Sequence, residues 1–320
     1  MDIISNFINN LSLFWSIFSL VILFIILGLS ADQVVSNVRA LAVKLGLPVF
    51  VLGIVLGVLT SFPEIAVAIS AIASNVPNLS MGNLLGGIIV VMGLVLGFSV
   101  LLNRGIDNDG KSGFLSLALA YMVFPPLLAL KGTLNVFDGL LIIILYIVLM
   151  WRFYKDSRRG IDFKLSFLRE NKIFKELLIV LVGITIVMVS ANFIVSITVN
   201  LLKSYQLPPY LIGLIFFPIG TNLPEITVAL ASWRHKSGEL SFSNLLSSSI
   251  LNSLILGILA LNKNIKITQL SSHLVTSITM IILFILILIF HKSGKRLSRL
   301  EGAVILLVYL VFLVLQINYL

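Results

Sequence analysis

The chain has 320 residues, of which 59% are hydrophobic and only 11% are charged, and its mean hydropathy is +1.13. Soluble domains run roughly 45–50% apolar and about 25% charged, so a soluble protein of this composition would precipitate. The formal charge of +9 would suit nucleic acid, but in so apolar a chain basic residues first report orientation in a bilayer. No nucleic-acid partner is expected, and the absence of Cys excludes disulfides and thiolate metal sites.

Ten apolar blocks follow one another, at about 13–35, 46–73, 80–102, 113–130, 134–151, 176–200, 209–233, 240–261, 269–290 and 301–318. Each is close to the roughly 20 residues a helix needs to cross about 30 Å of hydrocarbon. A secretory leader would be one apolar block preceded by basic residues, whereas no Lys or Arg precedes Arg39 and the blocks continue along the chain. They are continuously apolar rather than alternating, which excludes a β-barrel. The expected fold is an all-α integral membrane protein with ten transmembrane helices.

The polar stretch from Arg152 to Lys175 divides the helices five from five. Residues 1–151 read as a first five-helix repeat, 152–175 as a cytoplasmic linker and 176–320 as a second repeat. An odd number of helices per half inserts the second half upside down, the arrangement of inverted-repeat transporters. With the N-terminus outside, 18 of the 22 Lys and Arg fall on the cytoplasmic side, leaving Lys131, Lys203, Lys263 and Lys266 outside. Cytoplasmic loops carry the basic excess, so a multi-pass cell-membrane protein with both termini outside is expected.

The duplication is written in the residues. Ser30-Ala31-Asp32 is echoed by Ser190-Ala191-Asn192, Leu47-Pro48 by Leu207-Pro208 and Gly53 by Gly213, all at an offset of 160. After one extra residue, Thr60-Ser61-Phe62-Pro63-Glu64-Ile65 matches Thr221-Asn222-Leu223-Pro224-Glu225-Ile226 at an offset of 161. The same offset pairs Asn83-Leu84-Leu85 with Asn244-Leu245-Leu246. The likeness concentrates in the second and third helices of each half, which is where shared chemistry is expected.

Thr-x-x-Pro-Glu therefore occurs twice in the middle of an apolar helix. An ionised Glu at mid-bilayer costs at least ~2.5 kcal/mol by insertion scales, so each needs a partner or a purpose. Pro63 and Pro224 lack an N–H and clash with the carbonyl four residues back, which should bend each helix and free carbonyl oxygens. Those carbonyls, the hydroxyls of Thr60, Ser61 and Thr221, and the carboxylates of Glu64 and Glu225 make an all-oxygen cluster. A hard cation such as Ca²⁺ takes 6 to 8 oxygens. A lone kink or a single packing Glu would explain one motif, but not two in the same register.

The third helices of each half carry Gly82-Asn83-Leu84-Leu85-Gly86-Gly87 and Ser243-Asn244-Leu245-Leu246-Ser247-Ser248. Gly82, Gly86 and Gly87 read first as close helix packing, and Asn83 and Asn244 as braces for the Glu helices. Ser248 and Asn252 lie one turn apart on one face and are candidate direct ligands. Asp32 sits near the cytoplasmic end of the first helix, where an interfacial role fits as well as gating. His235, His273 and His291 have no metal-binding spacing and are expected to be solvated at loop or helix ends. No nucleotide-binding glycine loop, His-Glu-x-x-His or Gly-x-Ser-x-Gly is present, so neither an enzyme nor a resident cofactor is expected.

At these residues the chain resembles the calcium/cation antiporter superfamily, whose sodium/calcium exchangers carry inverted repeats with Gly-Thr-Ser-Leu-Pro-Glu followed by Gly-Asn-x-x-Gly-Ser. The resemblance implies a Ca²⁺ held by Glu64, Glu225 and the carbonyls of Thr60 and Thr221. It also implies flanking sodium sites drawing on Ser61, Asn222, Ser248 and Asn252, with access alternating as the first and sixth helices slide. This chain departs from the pattern at Leu59, Asn222, Gly87 and Val91, so the first half lacks two side-chain oxygens on its third helix. The extra acidic residue typical of the proton-coupled branch is also absent.

The expected function is secondary antiport of Ca²⁺ against Na⁺ by a monomer. Two carboxylates balance one Ca²⁺ or two monovalent ions, and mutually exclusive occupancy is the physical basis of exchange. Burial disfavours a charged carboxylate, so H⁺ is the alternative counter-ion. A channel or a non-exchanging membrane protein is the rival from another class.

Overall fold

The computed structural model of the chain describes residues 12–44, 61–103, 106–107, 112–157, 173–223, 225–226, 238–262, 264–293 and 296–320. Its first half comprises α1 (Leu13–Lys44), α2 (Phe62–Ala73), α3 (Pro77–Ile89), a π-helical turn (Val90–Val95), α4 (Leu96–Leu102), α5 (Ser112–Ala129) and α6 (Val136–Ser157). The second half comprises α7 (Ile173–Tyr205), α8 (Pro209–Ile215), α9 (Phe217–Thr221), α10 (Gly238–Asn262), α11 (Leu270–Ser293) and α12 (Arg299–Ile317). Seven of the described helical runs are long and apolar enough to span a membrane, and three shorter apolar ones lie at 62–73, 113–129 and 209–221. These runs fall on the ten apolar blocks. Helix extends into both ends of the polar stretch 152–175, because α6 continues to Ser157 and α7 begins at Ile173. Asp32 lies inside α1 rather than at its end, since that helix runs on to Lys44.

Two short antiparallel ladders tie the loops together, a detail that hydropathy could not reveal. β1 (Ile106–Asp107) pairs with β4 (Arg296–Leu297), and β2 (Thr133–Leu134) pairs with β3 (Ile265–Lys266). β1 and β4 lie in the loops after the third and ninth spans, β2 and β3 in those after the fourth and eighth. Helix alternation puts the members of each pair on one side of the bilayer. Inversion of the two halves exchanges one ladder with the other, so the loops repeat the symmetry seen in the sequence.

Packing runs chiefly between the halves. α1 lies along α7, α3 against α8, α10 against α6, and α12 against α4. The α3–α8 contact is set by glycine: a Cβ on Gly82 would strike the Tyr210 carbonyl oxygen, one on Gly86 the Leu214 carbonyl, and one on Gly213 the Leu79 carbonyl. Without a hydrophobic drive between helices in lipid, such close backbone approach is what van der Waals packing requires. Apolar side chains cover the outside of the bundle. At the start of α1 the rings of Phe14, Trp15 and Phe18 pack on one another, and at the end of α6 the Lys155 ammonium lies 5.6 Å from the Trp151 ring, the composition of an interfacial belt.

Candidate cation site

Each motif stands beside a helix terminus. α2 begins at Phe62, which puts Pro63 in its first turn, where a missing N–H costs nothing, and Glu64 beside it. In the seventh span α8 ends at Ile215, α9 carries Pro218 in its own first turn, and α9 stops at Thr221 with Asn222 outside helical geometry (φ −91°, ψ 21°). Pro218, six residues ahead of Pro224, therefore segments this span at a position that has no proline counterpart in the first half. Thr60, Pro224 and the side chain of Asn244 lie outside the described residues.

Glu64, Glu225, Ser61, Thr221, Asn222, Asn83, Ser248 and Asn252 are all buried. The two carboxyls are close enough to feel each other's charge, and Thr221 lies beside that of Glu64. Ser248 donates to Glu225 Oε1 at 2.8 Å. Thr221 gives its proton to Asn83 Oδ1 at 3.1 Å, which ties the third span to the end of α9. Asn222 Nδ2 donates to the Pro218 carbonyl at 2.8 Å and turns its Oδ1 free. Asn252 reaches the same spot from α10: a Cβ on Gly87 would stand 2.7 Å from Asn252 Nδ2 and 3.3 Å from Asn222 Nδ2.

Several oxygens here have no hydrogen-bond partner among the described residues: both of Glu64, Oε2 of Glu225, Ser61 Oγ, and the Oδ1 atoms of Asn222 and Asn252. Buried polar groups are normally paired, and each exception asks for an explanation. A cluster of buried, unpartnered oxygens around two carboxyls is chemically suited to a desolvated cation. Among the described residues there is no group of three His, Cys, Asp or Glu; the atoms gathered here are carboxyl, hydroxyl and amide oxygens. Gly82 and Gly86 are covered by the α8 backbone and act in packing. If Ser248 helps hold the cation through Glu225, Ser248→Ala removes a hydrogen bond to a charged group, worth about 1.5–3 kcal/mol. Cation affinity measured by calorimetry on the purified protein is then expected to fall at least about tenfold.

The histidines differ from the sequence expectation. His273 is buried: its Nε2 lies 2.8 Å from the Pro126 carbonyl and its Nδ1 3.1 Å from the Tyr210 hydroxyl. Gln316 joins the cluster through Ser272 and Thr276. His291 is also buried, stacked with Phe242, and His235 lies outside the described residues. Spacing along one helix cannot reveal partners that arrive from three other spans.

The family described as "Sodium/calcium exchanger protein" matches residues 15–155 and 175–318. The sodium/calcium exchanger MaX1 of Methanosarcina acetivorans is 25% identical over 91% of this chain and 97% of its own. A membrane protein of Methanocaldococcus jannaschii whose function is not characterised is 26% identical over 90% of this chain and 93% of its own. A solved structure of the sodium-calcium exchanger NCX_Mj superposes with a TM-score of 0.65, at 22% identity over 93% of this chain and 97% of that one. With the family matched across both halves and the fold shared over 93% of the chain, this chain is a member of the sodium/calcium exchanger family, a multi-pass cation antiporter and not an enzyme.

Proposed function

We propose that the protein exchanges Ca²⁺ for Na⁺ through one mid-membrane site built on Glu64 and Glu225. Thr60 and Thr221 complete the calcium shell, and Ser61, Asn222, Ser248 and Asn252 serve the monovalent ions. The observation that carries this reading is the pair of neighbouring, wholly buried carboxyls, three of whose four oxygens have no donor among the described residues. Removing a carboxylate from water costs several kcal/mol even after relaxation, and a bound cation is the natural compensation. Calcium and the counter-ion then compete for the same two charges, and that competition couples their fluxes.

Both carboxylates belong to one chain, so a monomer is the working unit. Residues 1–151 and 176–320 form the two repeats on either side of a cytoplasmic linker, and the basic-residue split puts both termini outside. The names of the relatives support sodium as the counter-ion, while Gly87 and Val91, which withdraw oxygens from the first half, favour the proton as the second reading. Purified protein in liposomes decides between them. An outward sodium gradient is expected to drive ⁴⁵Ca²⁺ uptake, whereas a pH gradient in sodium-free buffer is expected to drive none. Uptake under the pH gradient alone would assign the proton, and calcium flux indifferent to both gradients would mean a leak.

A further inference from the structure

The inverted repeat makes Gly87 the counterpart of Ser248 and Val91 the counterpart of Asn252, each pair at the offset of 161. The two sides are unlike. On α10, Ser248 offers its hydroxyl to Glu225 and Asn252 a carboxamide with both polar atoms unpartnered. On the third span, Gly87 has no side chain and Val91 is a buried apolar residue in the π-helical turn. Nor is the space beside Gly87 vacant. The amides of Asn252 and Asn222 fill it, 2.7 and 3.3 Å from where a Cβ would stand, so a serine there would displace Asn252.

Charge points the same way. The described residues that gather at the site carry two carboxyls, Glu64 and Glu225, and every other polar group among them is a neutral amide or hydroxyl. One divalent ion or two monovalent ions balance that charge. A third monovalent ion would find no oxygen donor in the side chains of Gly87 and Val91.

From this asymmetry we infer that exchange is electroneutral, with two monovalent cations returned for each Ca²⁺, and that Gly87 and Val91 set this ratio by closing the pocket a third ion would need. The inference rests on the proposed calcium exchange but holds whether the counter-ion is Na⁺ or H⁺.

The test measures the calcium gradient at which net flux stops in liposomes holding the purified protein, with the membrane potential set by K⁺ and valinomycin. At zero potential a tenfold counter-ion gradient is expected to balance about a hundredfold calcium gradient. That balance point is expected to stay put when a potential is imposed. One net charge per cycle would instead move it about tenfold for every ~60 mV, and such a shift overturns the inference while leaving calcium exchange standing. Absence of gradient-driven calcium flux at every potential overturns the exchange itself. Val91→Asn, which returns an amide to the third span without crowding Asn252 from Gly87, is expected to make the balance point sensitive to potential. A folded, exchanging Val91→Asn protein that ignores the potential overturns the role given to this residue.

Discussion

Glu64→Gln and Glu225→Gln are each expected to abolish sodium-driven calcium uptake while leaving a folded, extractable protein. Glutamine keeps the shape and one oxygen of the side chain but removes a charge from a site that has only two. Leaving a buried charge without its partner costs about 3–5 kcal/mol, here the calcium ion facing one carboxylate instead of two. The uptake rate at low calcium should therefore fall by at least about a hundredfold. In the ion-free protein the same change removes repulsion between neighbouring buried carboxyls, so the thermal midpoint in detergent is expected to hold or rise. Wild-type uptake surviving in both variants would end the proposed mechanism, whereas loss of uptake with loss of folding would say nothing about ligation.

Gly213→Ala is expected to be as damaging for a different reason. The added Cβ strikes the Leu79 carbonyl, and backbone cannot rotate aside as a flexible side chain can. Overpacking typically costs about 1–3 kcal/mol. Here it must part α3 from α8, which also separates Asn83 from Thr221 and shifts the segment leading to Glu225. A lower thermal midpoint is expected together with weaker cation binding. Gly113→Ala, at a helical position with nothing within 4 Å of its would-be Cβ, is the control expected to change neither.

Much of the site was legible because its residue types are expensive where they stand. A carboxylate in an apolar block is noticed by its cost, and two in one register are noticed by repetition. Ser248 and Asn252 could be placed on one face from helical periodicity alone. What could not be read was the partner of each group. Thr221 is expected in the oxygen cluster, and only the fold shows that its hydroxyl also meets Asn83, across 138 positions of chain. His273 was expected in solvent and is enclosed by Tyr210, Thr276 and the Pro126 carbonyl. Pro218, which segments the seventh span a turn and a half ahead of Pro224, has no counterpart in the first half, so the repeat carries no signal of it.

The order of the ten spans, their inversion across the middle of the chain and the doubled acidic motif were settled by the amino-acid sequence itself. Hydropathy and repetition are properties of residues in line, and a bilayer leaves an apolar block little choice but to cross as a helix. Tertiary structure alone decided that two amides fill the space beside Gly87, that Ser248 reaches Glu225 and that loops from opposite halves pair as ladders. Those facts depend on how closely helices distant in the chain approach. That distance is set by glycines whose bare Cα atoms lie against backbone from the other half.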